Sequence, residues 1–134
     1  MGEEVVVDAS ALVDLLLRSS LGEAVERRLA GQALHGPAHI DAEALSALSR
    51  LERAGSVGGD AVAELLGHLE GAPIERHPVH PLLKGAWSRR ANLRVADGLY
   101  VELAASLGMP LVTTDARLRS VPGVELVEDG DSVS

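Results

Sequence analysis

Two short apolar runs in this chain each end in an aspartate and pass straight into a helix-like segment. Val5-Val6-Val7-Asp8 leads into ASALVDLLL, and Leu111-Val112-Thr113-Thr114-Asp115 leads into ARLRS. Three β-branched residues in succession read as a short buried strand, whereas the leucine-rich run after Asp8 is too long to be another strand. In open parallel α/β sheets the strand-to-helix junction lies at the carboxyl edge, where ligands bind. An acid there is either a helix cap or the first piece of a site.

The segments between these runs alternate in the same way. Ala9 to about Arg18 reads as a helix that is apolar over most of its surface, either buried or in contact with a partner. Glu23 to Ala30 is amphipathic, Ala33-Leu34-His35 a very short strand closed by Gly36-Pro37, and His39 to Ala54 the clearest helix, stopped by Gly55. A further helix is expected from Gly58-Gly59-Asp60 to Glu70, a strand over Ile74 to His77, and helices around Leu82 to Ala91 and from Val95 to Leu107. Ala116 to Ser120 reads as a helical turn and Val124 to Val127 as the last strand, before an acidic tail, Glu128 to Ser134, expected to fray. Strands separated by helices predict a parallel central sheet covered on both faces, a three-layer α/β/α fold with right-handed crossovers. No repeat or linker divides the chain, so residues 1–134 read as a single domain.

Bulk properties narrow the function classes. An apolar content of 46 % fills one core, and the absence of cysteine removes disulfides and thiolate metal sites, as suits a reducing cytoplasm. No apolar run approaches a membrane span, and Met1-Gly2-Glu3-Glu4 lacks the layout of a signal peptide. Phenylalanine is absent and Trp87 and Tyr100 are the only aromatics, which makes the core aliphatic and base-stacking platforms scarce. A net charge of −8 argues against binding nucleic acid, unless carboxylates converge on divalent cations: two such ions would halve the charge and make the site attractive to phosphate. Eleven arginines against the single Lys84 would suit bidentate phosphate contacts, although a coding bias accounts for the skew equally well.

Four carboxylates stand out: Asp8, Glu43 early in the third helix, Asp97 at the start of ADGLYVELA, and Asp115. Singly, Asp8, Asp97 and Asp115 each fit an N-cap, and Glu43 is favoured by the helix dipole. Jointly, two strand ends and two helix starts bring them to one edge of the sheet, where like charges repel unless cations lie between them. Oxygen-only donors select hard ions, Mg²⁺ or Mn²⁺.

The segments VVDASALVDLL, EALSALSRLERAG, ADGLYVELAASLG and PLVTTDARL resemble, in order and over nearly the whole chain, the four conserved blocks of PIN-domain ribonucleases, in particular VapC-type toxins of toxin–antitoxin pairs. The resemblance implies a compact α/β/α fold and Mg²⁺- or Mn²⁺-dependent endonucleolytic cleavage of RNA by two-metal-type hydrolysis. It puts the acidic cluster on Asp8, Glu43, Asp97 and Asp115 and the accompanying hydroxyl on Thr113. It also implies a homodimer and a small VapB-type antitoxin covering the site. Two departures bear on it: Ala96-Asp97-Gly98 stands where the family often has Tyr-Asp-Ala, implying looser packing, and Asp41 competes with Glu43 as the second acid.

Arg50, Arg90, Arg94 and Arg117 are candidates to grip RNA phosphates, or simply solvated helix surface. The pairs His77/His80 and His35/His39 invite a zinc reading that the intervening prolines and glycine weaken. A receiver-type phosphoryl-transfer domain is disfavoured, because Lys84 lies outside the acid-bearing blocks. The remaining alternative is a non-catalytic α/β binding module, or degenerate nuclease, whose acids only cap helices.

Overall fold

A computed structural model describes residues 2–130. Five strands form one fully parallel sheet in the order β3-β2-β1-β4-β5: β1 (Glu4–Val7), β2 (Ala33–Pro37), β3 (Ile74–His77), β4 (Leu111–Thr113) and β5 (Val124–Leu126). Between them run α1 (Ala9–Leu17), α2 (Ser20–Leu29), α3 (Ile40–Arg53), α4 (Gly59–Glu70), α5 (Leu83–Ser88) and α6 (Val95–Leu107), with 3₁₀ turns at His80–Leu82 and Ala116–Leu118. Among these helices none is long and apolar enough to cross a membrane.

Val5, Val6 and Val7 are all at most 1 % exposed. Side chains alternate between sheet faces, so burying three in a row requires a cover on each side. One helical layer is supplied by α1, which packs against α2, α3 and α4; the other is α5 with α6, the latter lying on β1, β2 and β4. The three-layer α/β/α architecture follows, with Ile40, Leu48, Leu111 and Val112 filling an aliphatic core. The chain lays strands on one side of β1 and then crosses to the other, which makes the β1/β4 boundary the topological switch point where such sheets open a crevice.

Several elements differ from expectation, each for a local reason. Helix α2 starts three residues early, because Arg18 closes α1 in the left-handed conformation (φ 56°) and Ser19 caps α2 by accepting from the Gly22 amide at 3.0 Å. The α5 region is a 3₁₀ turn followed by a helix that ends at Ser88, short of Ala91. Asp97 is not an N-cap; Arg94 holds that position, and Asp97 stands in the first turn of α6. Nor is the packing at Gly98 loose, since a Cβ there would lie 3.1 Å from the Ala86 carbonyl of α5. At the start of the tail, Arg119 donates to Glu128 at 2.9 Å and Ser20 to Asp129 at 2.9 Å, both at the exposed surface. Residues 131–134 lie outside the described residues.

Candidate active site

At the carboxyl edge of the sheet a cleft of about 360 Å³ is lined by Asp8, Ser10, Asp14, Glu43, Asp97, Tyr100 and Asp115, with Arg50, Arg94 and Arg117 on its wall. All four acids singled out from the sequence line this one cleft. Asp8 follows β1 and caps α1, its Oδ1 accepting from the Ala11 amide at 3.0 Å and from the Ser10 hydroxyl at 2.7 Å. Its other oxygen accepts from the Thr113 hydroxyl on the neighbouring strand. Thr113 Oγ1 in turn accepts from the Asp115 amide at 3.0 Å, so this fully buried hydroxyl connects the two strand-end acids.

Asp8 is 5 % exposed, and every donor to it is neutral. Burial pushes its carboxyl up from 3.8 to about 6, and the Asp115 charge adds to the rise, against the lowering effect of the Thr113, Ala11 and Ser10 bonds. Asp115 goes the other way: the Arg117 guanidinium holds it below the usual carboxylate range. Arg117 Nε donates to Asp115 Oδ1 at 3.0 Å, and its terminal nitrogen lies 3.8 Å from Asp97 Oδ2. Arg94 donates to the same Asp97 oxygen at 3.2 Å.

Glu43 enters from α3 and is held by Tyr100, whose hydroxyl donates to Oε1 at 2.6 Å. Burial and the adjoining carboxylate push the Tyr100 phenol up, so it stays a donor. Asp41 points elsewhere and forms a two-pronged pair with Arg76 at 2.9 and 3.1 Å, so of the two acids Glu43 faces the cleft and Asp41 does not. Arg90 is outside the cleft, its guanidinium stacked 4.1 Å over the Trp87 ring.

Two residues of the cleft escape a search for block acids. Asp14 accepts from the Thr114 hydroxyl at 2.7 Å, and its i+4 spacing from Ser10 places both on one face of α1. Tyr100 lies one helical turn beyond Asp97 on α6, the signal that could have found it.

The donor set fits a hard divalent cation. Five carboxylates face one space, and the most buried of them, Asp8, has no ion pair among the described residues. A buried anion with only neutral partners is costly, and an ion bound by oxygen removes that cost.

A parallel sheet whose switch point carries a carboxylate cleft defines an α/β domain with a site suited to a hard cation. The chain belongs to the PIN-domain family, whose sequence profile matches residues 5–124. Within that family it is similar to VapC proteins: it is 56 % identical over 117 residues to Ribonuclease VapC3 of Mycobacterium tuberculosis, covering 87 % of this chain and 85 % of that one. Among solved structures it is similar to PAE2754 from Pyrobaculum aerophilum, with a TM-score of 0.68, 29 % identity, and coverage of 95 % of this chain and 92 % of the other. The fold is shared with VapBC-5 from Mycobacterium tuberculosis, a member of the VapBC family of toxin–antitoxin systems, at TM-score 0.54 and 24 % identity over 93 % of this chain and 98 % of that one.

Proposed function

We propose that this chain is a divalent-metal-dependent endoribonuclease, the toxin of a toxin–antitoxin pair in the cytoplasm, neutralised by a small VapB-type antitoxin and acting as a homodimer. The observation that carries the reading is the convergence of Asp8, Glu43, Asp97 and Asp115 on one cleft at the switch point. Membership of the PIN family and the 56 % identity to a VapC ribonuclease support the reaction class.

Asp8, Asp97 and Asp115 would hold Mg²⁺ or Mn²⁺, with Glu43 beside them. When bound, such ions lower the pKa of water and stabilise charge on a phosphodiester's leaving oxygen. Thr113 and Ser10 fix the Asp8 carboxylate in one orientation. Tyr100 occupies Glu43 Oε1 and leaves Oε2 without a hydrogen-bond partner among the described residues, so Oε2 is the atom that can accept a proton from the attacking water. Arg50, on the wall beside the acids, would hold a phosphate of the flanking backbone, and Arg94 and Arg117 would join it on leaving Asp97 and Asp115.

Replacing Asp8 by Asn keeps the size and the cap acceptor but removes the charge. Its cleavage of a single-stranded RNA in Mn²⁺ is expected to fall at least a hundredfold, with saturable Mn²⁺ binding lost and the circular dichroism spectrum unchanged. Undiminished cleavage by Asp8→Asn would overturn the assignment.

A further inference from the structure

A second group of metal-ligating side chains lies outside the acidic cleft. His35 of β2 and Glu75 and His77 of β3 bring one ligand atom each to within 4.8 Å of one another. The register explains why. His35 pairs with Glu75 and Pro37 with His77, so all three functional side chains rise from the same sheet face, as does Glu4 of β1, which is in register with Ala33. None of them lines the cleft. The histidine pairs that sequence spacing offers, His35 with His39 and His77 with His80, are not the ones that meet; His35 and His77, distant in sequence, are joined by strand pairing.

The hydrogen bonds fix the chemistry of the pair. His35 Nε2 lies 2.9 Å from Glu4 Oε1, and a carboxylate only accepts, so Nε2 carries the proton and Nδ1 presents its lone pair. That lone pair meets His77 Nε2 at 2.9 Å, and His77 Nε2 lies 3.5 Å from Glu75 Oε2. A carboxylate bonded to the far nitrogen of an imidazole is the usual outer partner of a metal-ligating histidine, because it sets the tautomer and raises ligand basicity. Two imidazole nitrogens on one tetrahedral zinc stand about 3.3 Å apart, so the rings need separate by only a fraction of an ångström.

We propose that His35 Nδ1, His77 Nε2 and the Glu75 carboxylate form a site for a zinc-class divalent ion, with Glu4 holding His35 in the ligating tautomer. On binding, the proton between the two rings moves to His77 Nδ1 and the ion takes its place. Two imidazoles and one carboxylate select a borderline transition ion over Mg²⁺, and leave a fourth position for water. The ion would tie edge strand β3 to β2, a clamp on the fold remote in chemistry from the oxygen-only cleft.

The test uses tag-free, chelator-treated full-length chain in excess Mg²⁺, titrated with ZnCl₂ by calorimetry. One equivalent of Zn²⁺ is expected to bind wild type and Asp8→Asn alike and to raise the melting temperature of both. His77→Asn should lose the binding. Glu75→Gln, at an exposed position that leaves folding unaffected, should weaken it at least tenfold. Glu4→Gln should weaken it about 10- to 100-fold by removing the outer carboxylate. Absence of saturable Zn²⁺ uptake would overturn the site, as would uptake that survives Glu75→Gln and His77→Asn but vanishes in Asp8→Asn, which would put the ion in the acidic cleft.

Discussion

Arg117 occupies the place where a cation is wanted. Its guanidinium is bonded to Asp115 and reaches to 3.8 Å of Asp97 Oδ2, the oxygen that also accepts from Arg94 at 3.2 Å. These side chains neutralise two of the converging carboxylates, and an ion entering the cleft must compete with them. The Arg117 side chain is 56 % exposed, so the competition is screened by water and modest in size. Arg117→Ala is therefore expected to bind Mn²⁺ about two- to tenfold more tightly in a calorimetric titration while binding RNA more weakly, since one cation facing phosphate is gone. Unchanged or weaker Mn²⁺ binding would mean that Arg117 does not guard the acids.

At the scale of elements, α1, which lines one wall of the cleft, packs closely on α2. Gly22 makes that approach possible: a Cβ there would sit 1.9 Å from the Asp14 carbonyl, and a backbone atom cannot turn aside. Gly22→Ala should push α2 off α1 and lower stability by about 3 kcal/mol, read as a lower urea midpoint. Gly67, in the last turn of α4 with nothing near its missing Cβ, should respond oppositely, Gly67→Ala gaining about 0.5 kcal/mol. If Gly22→Ala also raised the midpoint, helix propensity rather than close approach would govern Gly22. The same contrast explains what was legible in the sequence. The β-branched run Val5–Val7, the strand-end acids and the α6 boundaries depend on local pattern and were readable. The early start of α2, the tight seat of Gly98 and the Tyr100–Glu43 bond depend on which elements touch, and nothing local encodes that. Asp8 could be read as a cap and as a site residue, and it stands in both positions; Asp97 could be read as a cap and stands only in the cleft.

For the whole molecule, the buried carboxylate sets a conflict between folding and function that pH should expose. Asp8 has a folded-state value near 6 against 3.8 for the free side chain, so between those values the folded chain binds more protons than the unfolded one. Stability of the metal-free protein therefore falls as pH rises through this window, by at most about 3 kcal/mol. Asp115, held below the usual range, acts with the opposite sign, but its contribution is lost only as pH drops below about 4, outside the window. Other groups titrate as well in a chain of net charge −8, and the difference between wild type and Asp8→Asn removes them. In EDTA, the stability gained by Asp8→Asn is expected to be smallest near pH 4, to grow up to about pH 6 and to level off above it, as measured by urea midpoints of both proteins across that range. Saturating Mn²⁺ should reverse the order, because only wild type then has an ion to offset the buried charge. A difference that stayed flat from pH 4 to pH 8 in EDTA would show that Asp8 pays no penalty for its burial, and the reason for expecting a cation beside it would be gone.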